Sequence, residues 1–264
     1  MFTRTDDSIT ATQAAVFLNN TVLGAGILTL PRGVSETVKS PDAWLSVLLG
    51  GIIVMAVIVL MVKISQQFPG KTIFQYAGKI VGRVPGAFLC LLLIIYFLIL
   101  AGFEIRSLAE VTLFFLLEGT PIWAIVLPFI WVGTYLVYGG INSIARVFQI
   151  IFPISIILPV ISGLKSTVLV YSGCEVVMTL VAFMQKPRQA VKAMLVGIGI
   201  PIGLYLLTVV MVIGGISIDS AITSTWPTID LIRSFEIPGF LFERMEFPLM
   251  VIWLMQMFCN FCSF

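Results

Sequence analysis

Residues 19–31 read NNTVLGAGILTLP, a hydrophobic stretch that cannot stay regularly helical through its middle. Gly24 and Gly26 flank Ala25, so the backbone there has little side-chain cover and an easy route out of helical dihedrals. Leaving the helix frees amide and carbonyl groups. Inside a bilayer such groups persist only where protein, water or a ligand satisfies them, so a helix that breaks within a bundle points to a ligand site. A plainer reading stands beside it. Thr21 and Ala25 form a small-xxx-small pair that would let another helix come close, and close packing alone would then account for the glycines.

The surrounding chain is that of a membrane protein. Of its 264 residues, 59% are hydrophobic and only 11% charged, with a mean hydropathy of +1.10, whereas a soluble domain carries about a quarter charged residues. The net charge of +2 gives no reason to expect a nucleic-acid partner. With no histidine at all, His-based metal sites and catalytic triads are excluded, and the phosphate-loop and dinucleotide-binding glycine signatures are absent. Neither an enzyme activity nor a cofactor is expected. Cys90, Cys174, Cys259 and Cys262 all lie in apolar runs and read as small buried hydrophobes; one CxxC pair at Cys259 and Cys262, without a second, does not specify a metal or redox site. The opening MFTRTDDS has two acids and no cleavage-site pattern, so the first span is expected to be retained.

Apolar runs cover residues 8–31, 43–62, 84–117, 121–145, 147–164, 166–185, 193–218 and 247–264, predicting eight transmembrane helices in a single domain. The third is longer than a perpendicular span requires and carries Glu104, Arg106 and Glu110 in its second half. Arg106 and Glu110, four residues apart, pair on one helix face, as a structural salt bridge or as part of a gate, while Glu104 points elsewhere. The fourth and fifth spans meet at the turn YGGINSIAR.

Orientation follows from the basic residues. Lys63, Lys71, Lys79 and Arg83 lie between spans two and three, and Lys186, Arg188 and Lys192 between six and seven. With Arg4 and Arg146 they place nine of the fifteen Lys and Arg on one face, which the positive-inside rule assigns to the cytoplasm together with the N-terminus. The segment from Asp219 to Arg244 becomes the largest loop on the other face. Span six is the second irregular one, because TVLVYSGCEVVMTL sets Gly173 and the ionisable Glu175 in an apolar run. A carboxyl group at membrane depth needs a cavity or a partner. Spans one and six are five apart, which suggests two five-helix halves of inverted topology: a first repeat over about 8–164 and an incomplete second over about 165–264.

The ordered series FLNNTVLGAGILTLPRG, SPDAWLSVLLGG, FPGKTIFQYAGKIVG, EGTPIW, INSIARVFQI and FERMEFPLMVIWLMQMFC resembles the spore germination permease family, the B subunits of nutrient germinant receptors. That family is similar to the amino acid, polyamine and organocation transporters, and the resemblance implies an all-α fold of ten helices in a five-plus-five inverted repeat with broken first and sixth helices. Eight of the ten are expected here. By that pattern the amides of Leu23, Gly24, Ala25, Gly26 and Ile27 would meet a ligand carboxylate, helped by the helix-end dipoles. The amino group would be met by Tyr171, Ser172, Gly173 and Glu175, with Cys174 standing where an aromatic is common.

Two departures bear on this. The ninth and tenth helices of the family pattern do not follow span eight, and residues 161–165 join spans five and six with almost no connection, like a splice. The implied function is a germinant-receptor subunit of the spore inner membrane that binds a small amino-acid-like nutrient and acts with other receptor subunits. A proton-coupled amino-acid permease, with Glu175 as the proton carrier, and an ion channel gated by the complex are the alternatives.

Overall fold

The computed structural model describes residues 8–24, 26–39, 42–157, 173–233 and 246–263, without the side chains at 27, 28, 115, 152–157, 232, 233 and 246–249. Helix α1 (Ala11–Val22) starts on a reciprocal cap: the Thr10 hydroxyl accepts the Gln13 N–H (3.2 Å) and the Gln13 carboxamide oxygen accepts the Thr10 N–H (2.9 Å). It stops at Leu23, whose ψ of 55° leaves the helical region, and α2 (Gly26–Val38) resumes the path. The expected break is there, with Ala25 outside the described residues. The first span was expected to end at Pro31, but α2 carries on to Val38. Beyond the proline the sequence turns amphipathic, and an Arg32–Glu36 pair at 2.7 Å ties the next turn together.

Helices α3 (Ala43–Gln66), α5 (Arg83–Phe115) and α9 (Ala190–Ile216) are each long and apolar enough to cross a membrane. At 1.5 Å per residue they run to roughly 36, 50 and 40 Å, against a hydrocarbon core of about 30 Å. Between α3 and α5 lies the short amphipathic α4 (Ile73–Ile80). Helices α6 (Ile122–Tyr138) and α7 (Ile141–Ile157) are bent 119° from one another and meet the span criterion together. They meet within the expected YGGINSIAR turn, at Gly139–Gly140. Gly140, at φ 84°, takes the left-handed conformation that ends a helix cheaply, a local signal that outweighs the apolar run continuing beyond it. A 3₁₀ turn (Cys174–Val176) leads into α8 (Val177–Phe183); after α9 come α10 (Ile218–Thr223), α11 (Pro227–Arg233) and α12 (Glu246–Ser263).

Helix α1 is the centre of this bundle, packed by α9, α7 and α12. Every residue from Ala14 to Val22 is buried, Asn19, Asn20 and Thr21 included, as befits a helix packed by others on several sides. The packing is tight: a Cβ on Gly197 of α9 would stand 2.6 Å from the Ala15 carbonyl oxygen. The outer faces are apolar instead of charged, with Leu98, Ile99, Trp131 and Tyr135 all largely exposed. Such a surface belongs in lipid, and the chain is an all-α integral membrane protein.

Candidate functional site

Two backbone hydrogen bonds tie the start of α1 to the end of α8: Ile9 N–H to the Phe183 carbonyl (2.8 Å) and Gln185 N–H to the Ile9 carbonyl (3.0 Å). From this tie α1 runs some 20 Å to its break at Leu23, and α8 with its 3₁₀ turn runs about 15 Å back to Gly173, by the helical rise. The 3₁₀ turn packs against α1. The second irregular position picked out from sequence therefore lies against the helix that carries the first.

At the α1 break, side chains from other helices take up freed carbonyls. Tyr205 Oη of α9 donates to the Val22 carbonyl (2.7 Å), and Gln256 Nε2 of α12 donates to the Asn20 carbonyl (2.7 Å). Gly24 N–H turns back onto the Val22 carbonyl at 2.9 Å. A Cβ on Gly24 would lie 1.8 Å from Asn260 Nδ2 and 2.6 Å from Glu104 Oε1, so any side chain here must displace both groups. The atoms crowding it are the tips of polar side chains, not the backbone of a neighbouring helix. Leu23 is buried, Gly26 opens α2 half-buried, and the Ile27 side chain lies outside the described residues.

Asn20 lies in the last turn of α1 and Gly24 just beyond its end, while Gln256 and Asn260 are one turn apart on α12, so the end of α1 and α12 face each other across a polar seam. Asn260 Nδ2 donates to the buried Glu104 Oε1 (3.0 Å), and Asn20 Nδ2 to the carbonyls of Val16 (3.0 Å) and Phe148 (3.3 Å). With the amide nitrogens committed, Asn20 Oδ1, Gln256 Oε1 and Asn260 Oδ1 are left without a donor among the described residues. Flipping these amides would set oxygen against oxygen. The seam is thus rich in acceptors around a carboxylate, and it suits a group that brings N–H donors and positive charge.

The other sequence candidates separate. Arg106 and Glu110 form the expected i,i+4 pair at 2.5 Å on an exposed face of α5, 66% and 49% exposed, while Glu104 on the same helix points inward to Gly24. Glu175, half-buried, closes its own turn. Its Oε2 accepts the N–H of Gly173, which sits at φ 95°, at 2.8 Å, and its Oε1 accepts the Tyr96 hydroxyl at 3.2 Å. Cys174 is buried beside it, and Tyr171 and Ser172 lie outside the described residues. All four cysteines are free thiols, Cys90 the half-buried one.

The sequence reading missed Tyr205, Gln256 and Asn260. For the last two a signal exists, since two carboxamides one turn apart in the apolar run LMQMFCNF share a helix face. Tyr205 carries no such signal, because a tyrosine in a span is ordinary packing until its hydroxyl finds a partner.

The family model described as "Spore germination protein" matches residues 8–158 and 155–264. Among Bacillus subtilis (strain 168) proteins, this chain is 43% identical to spore germination protein YndE, over 99% of this chain and 79% of that protein. It is 36% identical to spore germination protein B2 (99% and 78%) and 34% identical to spore germination protein A2 (94% and 75%). The YndE alignment runs to 287 residues against the 264 of this chain, and the family match falls into two segments meeting at 155–158, beside the abrupt join at 161–165. On this evidence the chain belongs to the spore germination permease family.

Proposed function

We propose that this protein is the membrane subunit of a nutrient germinant receptor in the spore inner membrane, and that it binds a small amino-acid-like germinant at the breaks of the first and sixth spans. It is a sensor rather than an enzyme. The N-terminus faces the cytoplasm, other receptor subunits are its partners, and the helices follow the five-plus-five inverted repeat. The observation that carries the reading is the buried break at Leu23–Gly24, where Glu104 and Asn260 crowd a position that takes a Cβ only if they move. Amides at the start of α2 suit a carboxylate. The acceptor-rich seam suits an ammonium, a task that the family resemblance alone assigned to the sixth span. A germinant can shift a conformational equilibrium only by binding one state better, so it acts by closing the broken helices around itself.

The second reading, a proton-coupled amino-acid permease, draws on Glu104 and Glu175, carboxyl groups within the spans that are suited to carrying a proton. Titration of the reconstituted protein with the common amino acids, in parallel with uptake of the labelled compounds into proteoliposomes, separates the two. Saturable binding without uptake supports the receptor, and fast saturable uptake supports the permease. A folded protein that binds none of them, alone or with its partner subunits, removes the germinant site.

A further inference from the structure

Helix α4 and the first three turns of α5 form a groove of about 680 Å³, lined by none of the residues at the helix breaks. Its α5 wall is a single stripe, Arg83, Ala87, Leu91 and Ile94, recurring every three or four residues. From Arg83 to Ile94 that stripe is some 16 Å long by the helical rise. Lys79, in the last turn of α4, stands with Arg83 at one end. The groove is therefore cationic at its head and apolar along its length, with Leu91 and Ile94 about half exposed on the lipid-facing side.

Among the described residues the cationic end has no ion-pair partner. The ion pairs Arg32–Glu36 and Arg106–Glu110 lie elsewhere and involve none of Lys71, Lys79 and Arg83. Lys71 instead lies against Lys79, whose contact and positive charge lower its pKa from the ordinary lysine value. Three cations gathered with no ion-pair partner among the described residues attract an anion. The walls are firmly set. The underside of α4 is anchored by buried Ile73, Tyr76 and Ala77, with the Tyr76 hydroxyl 2.9 Å from Ser65 Oγ, and a Cβ on Gly86 would come within 2.5 Å of the Gly78 Cα.

We infer that this groove binds an anionic phospholipid, its phosphate held between Lys79 and Arg83 and an acyl chain lying along Ala87, Leu91 and Ile94. A soluble anion would use only the head of the groove, and a lipid without net charge would leave the cations uncompensated. Basic pockets at the membrane surface recognise anionic headgroups on these terms.

The test uses the full chain in neutral-detergent micelles doped with equal amounts of phosphatidylglycerol and phosphatidylcholine. Native mass spectrometry should show retention of phosphatidylglycerol several-fold over phosphatidylcholine, and a Lys79→Gln/Arg83→Gln variant, altered only at exposed positions, should lose that preference. Cys90 lines the groove while the other three cysteines are buried, so its alkylation by N-ethylmaleimide reports occupancy. Phosphatidylglycerol should slow that reaction several-fold and glycerol 3-phosphate should not. Equal retention of the two lipids, a preference that survives in the double variant, or equal protection by glycerol 3-phosphate would each overturn the assignment.

Discussion

Replacing Gly24 by alanine adds one methyl group at the most crowded point of the helix break. The new Cβ would stand 1.8 Å from Asn260 Nδ2, where ordinary contact begins near 3.4 Å, so the Asn260 carboxamide must retreat by about 1.6 Å. Its 3.0 Å hydrogen bond to Glu104 does not survive that displacement, and Glu104 Oε1, at 2.6 Å, must move as well. A hydrogen bond to a charged group contributes about 1.5–3 kcal/mol. If the germinant reads the Glu104–Asn260 pair, its affinity should fall roughly ten- to hundredfold at about 1.4 kcal/mol per decade. Both displaced groups are side-chain tips, so folding and membrane abundance should change much less. The assay is germinant affinity and abundance measured together on Gly24→Ala, Asn260→Ala and the double variant. Removing the Asn260 carboxamide also removes the worst clash, so the double variant should bind about as well as Asn260→Ala alone, a strongly non-additive cycle. Wild-type affinity in folded Gly24→Ala, or two effects that simply add, would refute the reasoning.

Gly197→Ala should destabilise the protein by about 1–3 kcal/mol, because its Cβ meets the Ala15 backbone and neither helix can yield cheaply; Gly203→Ala, which meets nothing within 4 Å, should be neutral or slightly stabilising, and thermal unfolding in detergent compares them. Glu175→Gln and Tyr96→Phe should each cost on the order of 1 kcal/mol and combine for less than their sum, since both act on one hydrogen-bonded turn at Gly173; additive losses in denaturation would show that the turn is not a unit. Lys71→Cys should resist an impermeant thiol reagent applied from outside intact oriented membranes, as expected of a cytoplasmic loop, and ready labelling would invert the topology.

The helix break, the Arg106–Glu110 pair and the membrane class were all legible from residues alone. Each depends on information local in the chain: glycine's freedom to leave helical dihedrals, the i,i+4 neighbourhood of a helix surface, and the length of apolar runs. Local reasoning also went astray, ending span one at Pro31, because the apolar run stops there while the helix continues as an amphipathic one to Val38. What only the tertiary structure decided is who stands at the break. Glu104 sits two residues from Arg106 on α5, yet it turns inward to Gly24 and its neighbour does not. Asn260 and Tyr205 come to the same place from α12 and α9, far along the chain. Periodicity within a helix tells which residues share a face, but which faces meet is set by packing between helices, and that pairing is not written in the spacing of any one of them.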